Sequence, residues 1–419
     1  MGGPLSEGME SIECFRRRAN AWLAAQRPRR GAVESTWGEG EFDVTVFSDR
    51  SEDEERKFLD TYVQWHQQKL AAGFAAITWP VGAGGAGLTS AHERVFTELE
   101  AQYDVPNDHE LISVTTKLIA PAIEKYGTTA QIEQYGRTFL RADEFCCQLF
   151  SEPGAGSDLA NLSTRAVRDG DRWVLNGQKV WTSNARIAPW GFAICRTDVD
   201  VPKHAGMTAF LVPLRHTGVV VRPIRQMNGG ASFNEVFFSD AVIDDDLRIG
   251  AVGHGWKVAL DILGFERDSS GGSGRSGGEF EDLLGLARHM ERTDDVVVRQ
   301  GLARVYTTNR VREWARSRAA ASARLDGAPG PEGSIGKLLW TEDMRHISEV
   351  ASSLLGAALT ADTGEWGTYA WNDHVLGAPG YRIAGGSDEI QRNIIGERVL
   401  GLPREPRVDR DVAFKNAPR

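Results

Sequence analysis

The sequence predicts an α+β multidomain chain in which a β-domain separates two helical domains. Three observations predict it. Apolar residues recur at helical spacing up to about residue 145, the period changes to two from about Phe145 to Ile249, and helical spacing returns from Gly255 onward. The reading gives an N-terminal all-α domain (1–145), a middle antiparallel β-domain (146–250) and a C-terminal helical domain (251–419). At 419 residues the chain has the length for two or three domains around a large buried core.

In the first zone, Glu10–Gln26, Glu54–Ala72, Ser90–Gln102 and Val114–Tyr126 carry the helical pattern. The polar, glycine-containing stretch Pro28–Asp49 reads as a surface excursion between the first two helices. Ile77-Thr78-Trp79-Pro80, followed by Gly82, Gly84, Gly85 and Gly87, forces a tight irregular bend. In the second zone Asn176-Gly177 is the strongest hairpin signal, expected to join the runs Arg172–Leu175 and Lys179–Thr182. Ala193–Arg196, Met207–Pro213, Val219–Ile224 and Glu235–Val242 are further short runs bounded by Gly, Pro and Asp, a spacing that suggests a compact antiparallel barrel or sandwich. Helical pattern resumes in Trp256–Phe265, Phe280–Arg292, Val296–Arg324 and Ile335–Leu359. It is interrupted by the low-complexity piece Ser269–Gly278 and the turn-rich Asp326–Ser334.

Composition excludes several functions. A net charge of −10 disfavours non-specific nucleic-acid binding. No apolar run approaches the length of a membrane span, and the N-terminus has no apolar leader segment. Met1-Gly2 with Ser6 formally fits a myristoylation pattern, too short to carry weight. Cys14, Cys146, Cys147 and Cys195 have neither metal-ligand nor disulfide-framework spacing, and a reducing cytoplasm fits them. The histidines form no zinc or triad arrangement and are expected to be structural or on the surface.

The most informative stretch is Phe150–Ala185, FSEPGAGSDLANLSTRAVRDGDRWVLNGQKVWTSNA. Its opening turn combines Pro153, Gly154 and Gly156 with Ser151, Ser157 and Asp158, which exposes backbone N–H groups and small hydroxyls together; taken alone this fits any hairpin with a polar loop and also suits a polar planar ligand or a phosphate. Trp181 and Ser183 then place a large ring beside a hydroxyl at a strand end. This string resembles the flavin-binding segment of the acyl-CoA dehydrogenase family, whose pattern runs from Ser/Thr-Glu-Pro-Gly-Ala-Gly-Ser-Asp through Asn-Gly-Gln-Lys to Trp-x-Ser/Thr-Asn. Further matches in the same order are ITWPVGAGGAG near residue 80, Gly255-Trp256-Lys257-Val258-Ala259-Leu260 leading to Glu266-Arg267, and Ile383-Ala384-Gly385-Gly386-Ser387-Asp388-Glu389-Ile390-Gln391-Arg392. The resemblance spans nearly the whole chain and implies a middle β-barrel domain with a C-terminal four-helix bundle.

The resemblance also implies a reaction, the FAD-dependent α,β-dehydrogenation of an acyl thioester on CoA or an acyl carrier protein. A base takes the α-proton while the β-hydrogen leaves as hydride. So weak an acid needs a carbonyl held by hydrogen-bond donors and a base in a dry pocket that raises its pKa. Many members carry that base in the C-terminal loop, where this chain has Gly385. Others carry it on a helix directly before an Arg, and the matching position here is Glu266, followed by Arg267. Glu266 is therefore the expected base. Gly385 and Gly386 then remove side-chain bulk from the loop, and the glycine-rich Ser269–Gly278 stretch departs from a regular helix just after Glu266; both imply a pocket wide enough for a branched, cyclic or polycyclic acyl group, with Arg267 also expected to contact the substrate. For the flavin, the resemblance places Ser151 at the pyrimidine edge, Trp181 over the ring, Ser183 at N5 or O4, Ser157 at the pyrophosphate or the CoA end, and Ser387 and Glu389 at the adenine half. The family's Arg-x-x-Phe-Gly motif is missing from the Arg- and Ala-rich region near Arg310–Arg324. Electron-transfer flavoprotein is the implied acceptor, and a homo- or hetero-oligomer, dimer or tetramer, the implied assembly. Two other readings keep the fold: a flavin oxidase or monooxygenase, and a partner subunit that supplies half of a shared site.

Overall fold

The computed structural model describes residues 9–30, 37–38, 42–269, 278–326, 330–406 and 409–417, and the side chains of residues 266–269, 320 and 323–326 are outside that description. The chain opens with α1 (Ile12–Gln26), α2 (Glu52–Ala71) and α3 (Ser90–Glu100). The Ser11 side chain caps α1, and a reciprocal Ser51–Glu54 capping box starts α2. Phe15, Ala19 and Leu23, one stripe of α1, are fully buried against Trp65, Phe74 and Phe96. A segmented helix follows: α4 (Glu110–Ser113), π-helical turns over Val114–Ile119, and α5 (Ala120–Tyr126). Another capping box, Thr128 with Gln131, begins α6 (Thr129–Gln131), which runs through Ile132–Gly136 into α7 (Arg137–Leu140). The periodicity after Tyr126 is too short to announce this last piece.

The middle of the chain forms one eight-stranded sheet: β1 (Cys146–Leu149), β2 (Arg165–Asp169), β3 (Arg172–Ser183), β4 (Trp190–Arg196), β5 (Met207–Pro213), β6 (Val219–Pro223), β7 (Phe233–Asp244) and β8 (Arg248–Ile249). The order is β6-β7-β3-β2-β4-β5-β8. β1 lies parallel beside β4, β2 meets β4 in parallel at Arg165 and Arg196, and the remaining pairs are antiparallel.

The expected Asn176-Gly177 hairpin is absent. Both residues lie inside the continuous β3, Asn176 opposite Arg165, at a register shift against β7. The tight turn sits at Gly170-Asp171, with Gly170 at φ +62°. Gly177 is required for another reason: a Cβ there would lie 2.6 Å from the Thr164 hydroxyl oxygen.

Alternation along β4 and β5 divides the core. Ala193, Cys195, Phe210 and Val212 face a cluster shared with α1–α3, whereas Phe192, Ile194, Ala209 and Leu211 face one shared with Leu118, Ile119, Ile123 and the next helix. Adjacent Cys146 and Cys147 point to opposite clusters, and burial pushes the Cys147 thiol up to about 12.

That next helix is α8 (Gly255–Ser269), followed by α9 (Phe280–His289), α10 (Val296–Asp326), α11 (Gly333–Leu355), α12 (Ala370–Tyr381) and α13 (Asp388–Ile394). Leu283 and Leu286 of α9, Leu302 and Val305 of α10, Ile347 and Val350 of α11, and Trp371 of α12 share one core, a four-helix bundle. Gly301 lets α10 approach α11, since a Cβ there would meet Val350 at 2.6 Å. The expected surface excursion Pro28–Asp49 is corrected in its described part. Phe42, Val44, Val46 and Phe47 dock on the bundle, with Val44 fully buried and Phe47 stacked on Tyr381. Their alternation with polar residues hid an apolar edge. Among the described residues no helix is long and apolar enough to cross a membrane, and no side-chain cluster fits a metal ion.

Candidate functional site

The turn after β1 is built from within its own motif. Glu152 is buried, and its carboxylate accepts from the Ser163 and Thr164 backbone N–H groups at 2.7 and 2.9 Å. Lys179 of β3, fully buried, donates to Glu152 at 2.7 Å and to the carbonyls of Phe150 and Ile194 at 3.0 and 2.8 Å. Burial alone would push the Glu152 carboxyl up, but Lys179 and these donors hold it below its ordinary value. The Glu and Lys of the sequence motif thus brace the turn, a role that spacing alone does not disclose.

Braced in this way, the turn presents an open face. Ser157 is exposed, Ser151 is half-buried with its carbonyl accepting from Val180, and a Cβ on Gly154 or Gly156 would meet nothing within 4 Å. Trp181 follows in a β-bulge between Lys179 and Thr182, at φ +60°, a left-handed conformation costly for a bulky residue. Its neighbours hold it there. Lys179 is locked in the ion pair, and Thr182 exchanges two hydrogen bonds with Asn234, its hydroxyl donating at 2.8 Å and its carbonyl accepting at 2.9 Å. The result is a tryptophan ring that is 60% exposed.

Aromatic contacts connect this ring to the C-terminal bundle. Trp181 meets Phe233 at 6.1 Å, Phe233 meets Phe47 at 5.1 Å, and Phe47 stacks on Tyr381 at 4.7 Å. Tyr381 ends α12 and leads directly into the loop holding Gly385, Gly386 and Ser387. Gly385 and Gly386 have φ of +63° and +85°, so the loop bears no side-chain bulk where it turns. Buried Asp388 anchors it, accepting from Arg382 at 2.7 Å and from Thr341 at 3.0 Å, with Lys337 at 3.5 Å. Gln391 donates to the Gly385 carbonyl at 2.9 Å. Ser387 is the N-cap of α13, accepting from Ile390, while Glu389 is exposed and pairs loosely with Arg392 at 3.6 Å.

Glu110, the first residue of α4, was not singled out by its sequence. Its side chain is solvent-exposed yet its carboxyl is crowded by protein, and Ser183 is among the groups that act on it. The crowding pushes its carboxyl up against the opposing pull of Ser183 and His109. Burial first, and then Glu110, push the Tyr381 hydroxyl up as well. Glu110 therefore lies where α4, the end of β3 and the end of α12 meet. Glu266 and Arg267 belong to α8 by their backbone, and their side chains lie outside the described residues. The preceding Leu263 and Phe265 join the apolar cluster that also holds Val114. In the Arg-rich region, Arg310 pairs with Glu313 on the surface. Arg312 lies 3.7 Å from buried Asp343, whose carboxyl burial raises to about 6.

An exposed ring beside a braced turn, linked by aromatic contacts to a loop that turns on two glycines, could hold a planar cofactor between the β-domain and the helical bundle. Comparison with known proteins agrees. Residues 47–143, 147–241 and 253–400 match the family models for the N-terminal, middle and C-terminal domains of acyl-CoA dehydrogenase. Acyl-CoA dehydrogenase IpdE1 of Mycobacterium tuberculosis is 39% identical over 95% of this chain and 99% of its own length. Two solved structures superpose well. The Tcur3481-Tcur3483 steroid ACAD has a TM-score of 0.73 and 25% identity over 95% of this chain and 99% of that one. The ChsE4-ChsE5 complex of Mycobacterium tuberculosis has a TM-score of 0.69 and 27% identity over 96% of this chain and all of the matched one. The chain belongs to the acyl-CoA dehydrogenase family, a flavin-dependent family of oxidoreductases, and is an acyl-CoA dehydrogenase.

Proposed function

We propose that this chain binds FAD and introduces an α,β-double bond into a bulky acyl thioester, most simply an acyl-CoA with a branched, cyclic or polycyclic acyl group. The observation that carries the flavin assignment is Trp181, a large ring held outward by a strained bulge between two buried anchors. The turn fits the cofactor, with an exposed hydroxyl at Ser157 and open backbone at Gly154 and Gly156. Trp181 would cover the flavin ring, Ser151 and Ser183 would meet its polar edge, Ser157 the pyrophosphate or the CoA end, and Ser387 and Glu389 the adenine half. When bound, FAD supplies the acceptor for the hydride from Cβ.

Glu266 is the proposed base for the α-proton. On α8 it follows Leu263 and Phe265, two residues of the apolar cluster, and a base held among apolar residues would have a raised carboxyl pKa. Arg267, Gly385 and Gly386 are proposed to frame the acyl group. The steroid ACAD among the structural relatives supports a bulky substrate, and the two-component names of both solved assemblies support a hetero-oligomer, with the homo-oligomer as alternative. Electron-transfer flavoprotein is the proposed acceptor, and a cytoplasmic location is proposed with it.

The test is anaerobic mixing of flavin-loaded protein with a thioester panel, followed by absorbance. Glu266→Gln is expected to keep its flavin and bleach about a thousandfold more slowly, while Glu389→Gln bleaches at the wild-type rate. Wild-type bleaching by Glu266→Gln would remove the base assignment. Faster turnover of straight-chain thioesters would remove the bulky-substrate assignment.

A further inference from the structure

The far C-terminus returns to the β-domain and grips the segment that follows the Ser157 turn. Arg196, at the end of β4, is the hub of this grip. Its guanidinium is buried, donates to the carbonyls of Ala160 at 2.7 Å, Leu162 at 3.2 Å and Lys203 at 2.6 Å, and lies 3.8 Å from the centre of the Phe414 ring. Among the described residues Arg196 lies in no ion pair; three carbonyls and the Phe414 face hold its guanidinium, and the charges of Glu152 and Asp198 act on it from further off. Phe414 is itself 4% exposed.

The rest of the tail is laced to the β4–β5 loop. The Phe414 and Lys415 backbone N–H groups donate to the Val201 and Val199 carbonyls at 2.9 and 3.0 Å, and Pro202 bridges to Ala413. Lys415 pairs with Asp200 at 2.6 Å. Lys203 stands between the two ends, 2.7 Å from Asp409 of the tail and 3.0 Å from Asp158 beside Ser157. The loop itself is rigid: Thr197 and Asp198 both donate to the Gly206 carbonyl, and a Cβ on Gly206 would meet the Asp198 carbonyl oxygen at 2.0 Å. The same loop reaches the start of α8, where His204 packs edge-on against Trp256 at 4.9 Å.

We propose that the segment Asp409–Ala417 is a strap that positions the Glu152–Asp158 turn for its phosphate-bearing ligand, with Lys203, Arg196 and Phe414 as positioning residues. The proposal rests on the reading that this turn faces the pyrophosphate of FAD or the CoA thioester. Its physical content is order. A turn in which a Cβ on Gly154 or Gly156 would meet nothing is fixed from its flanks. Glu152 fixes one flank, and Arg196, held by the tail, fixes the other. Removing the Phe414 ring exposes the guanidinium to water, which competes for its hold on Ala160 and Leu162.

The experiment compares the wild-type chain with Phe414→Ala, Phe414→Tyr and a chain ending at Pro406, reading FAD affinity by titration and backbone hydrogen exchange over residues 152–164. Phe414→Ala and the truncation are expected to weaken FAD roughly tenfold and to speed exchange in that segment, with kcat at saturating FAD kept within about twofold. Phe414→Tyr should restore both. Wild-type exchange and FAD affinity in the truncated chain would overturn the strap. If instead exchange speeds up while FAD affinity is unchanged, the turn is ordered by the tail but does not hold this cofactor, and the ligand part of the proposal falls. A wild-type chain that binds no FAD at all is the separate failure of the functional reading, because the exchange experiment still reports on the strap.

Discussion

Glu152 and Glu110 are two carboxyl groups in neighbouring parts of one site, and their surroundings treat them in opposite ways. Glu152 is buried but enclosed by Lys179 and two backbone donors, so it stays ionised and its carboxyl is held low. Glu110 is exposed, lies in no ion pair among the described residues, and its carboxyl is raised by crowding. The difference separates scaffold from working surface. A charge that holds the fold is fully paired, whereas one that faces a ligand is left with capacity.

The largest effect should come from breaking the paired side. Lys179→Met leaves Glu152 buried without its cation and should destabilise the fold by about 3–5 kcal/mol, read as a lower denaturation midpoint with loss of bound flavin. Adding Glu152→Gln in the same chain should recover part of that loss, because the uncompensated charge is gone. No recovery would show that the pair matters only through packing.

The loop anchor comes next. Asp388→Asn keeps the size but removes the charge that meets Arg382 and Lys337, and should cost about 1–3 kcal/mol. The wild-type carboxyl is held below its ordinary range: burial pushes it up, but Arg382, Thr341 and Lys337 outweigh that. The unfolded chain therefore binds this proton first on acidification. The Asp388 contribution is present above the ordinary carboxylate range and is lost as pH falls through its lowered value. Acid unfolding of the variant should lack that component.

A smaller effect has the opposite sign. Trp181→Gly releases a left-handed backbone and removes an exposed ring, so stability should hold or rise by about 1 kcal/mol while flavin affinity falls. A variant that lost stability and kept its flavin would invert the assignment of this residue. The smallest effect tests Glu110. Its folded carboxyl is raised, so between the ordinary range and the raised value the native state binds more protons, and stability falls as pH rises through that window. Glu110→Gln should flatten that slope and leave the Glu152 behaviour untouched.

Much of this was legible in sequence because it is periodic. The helical–β–helical order follows from the period changes, and Met207–Pro213 reads directly as β5 because apolar residues bounded by turn signals need no tertiary help. The site turn was legible as a string but not as a machine. Pro153 and the glycines announce a turn, yet nothing in spacing says that Glu152 bonds to Lys179 across 27 residues. Asn176-Gly177 misled because its glycine answers to the Thr164 side chain beside it rather than to a turn. Glu110, Tyr381 and the Phe414 tail carry no motif, and their roles come only from which elements the fold brings together.

The measurement that tests the central claim most directly is a visible absorption spectrum of the chain purified alone, taken before and after anaerobic addition of a panel of straight-chain and bulky acyl-CoA thioesters. The account predicts flavin bands near one per chain that bleach with a bulky thioester. A colourless protein even with FAD supplied, or flavin bands that no thioester bleaches, would contradict it.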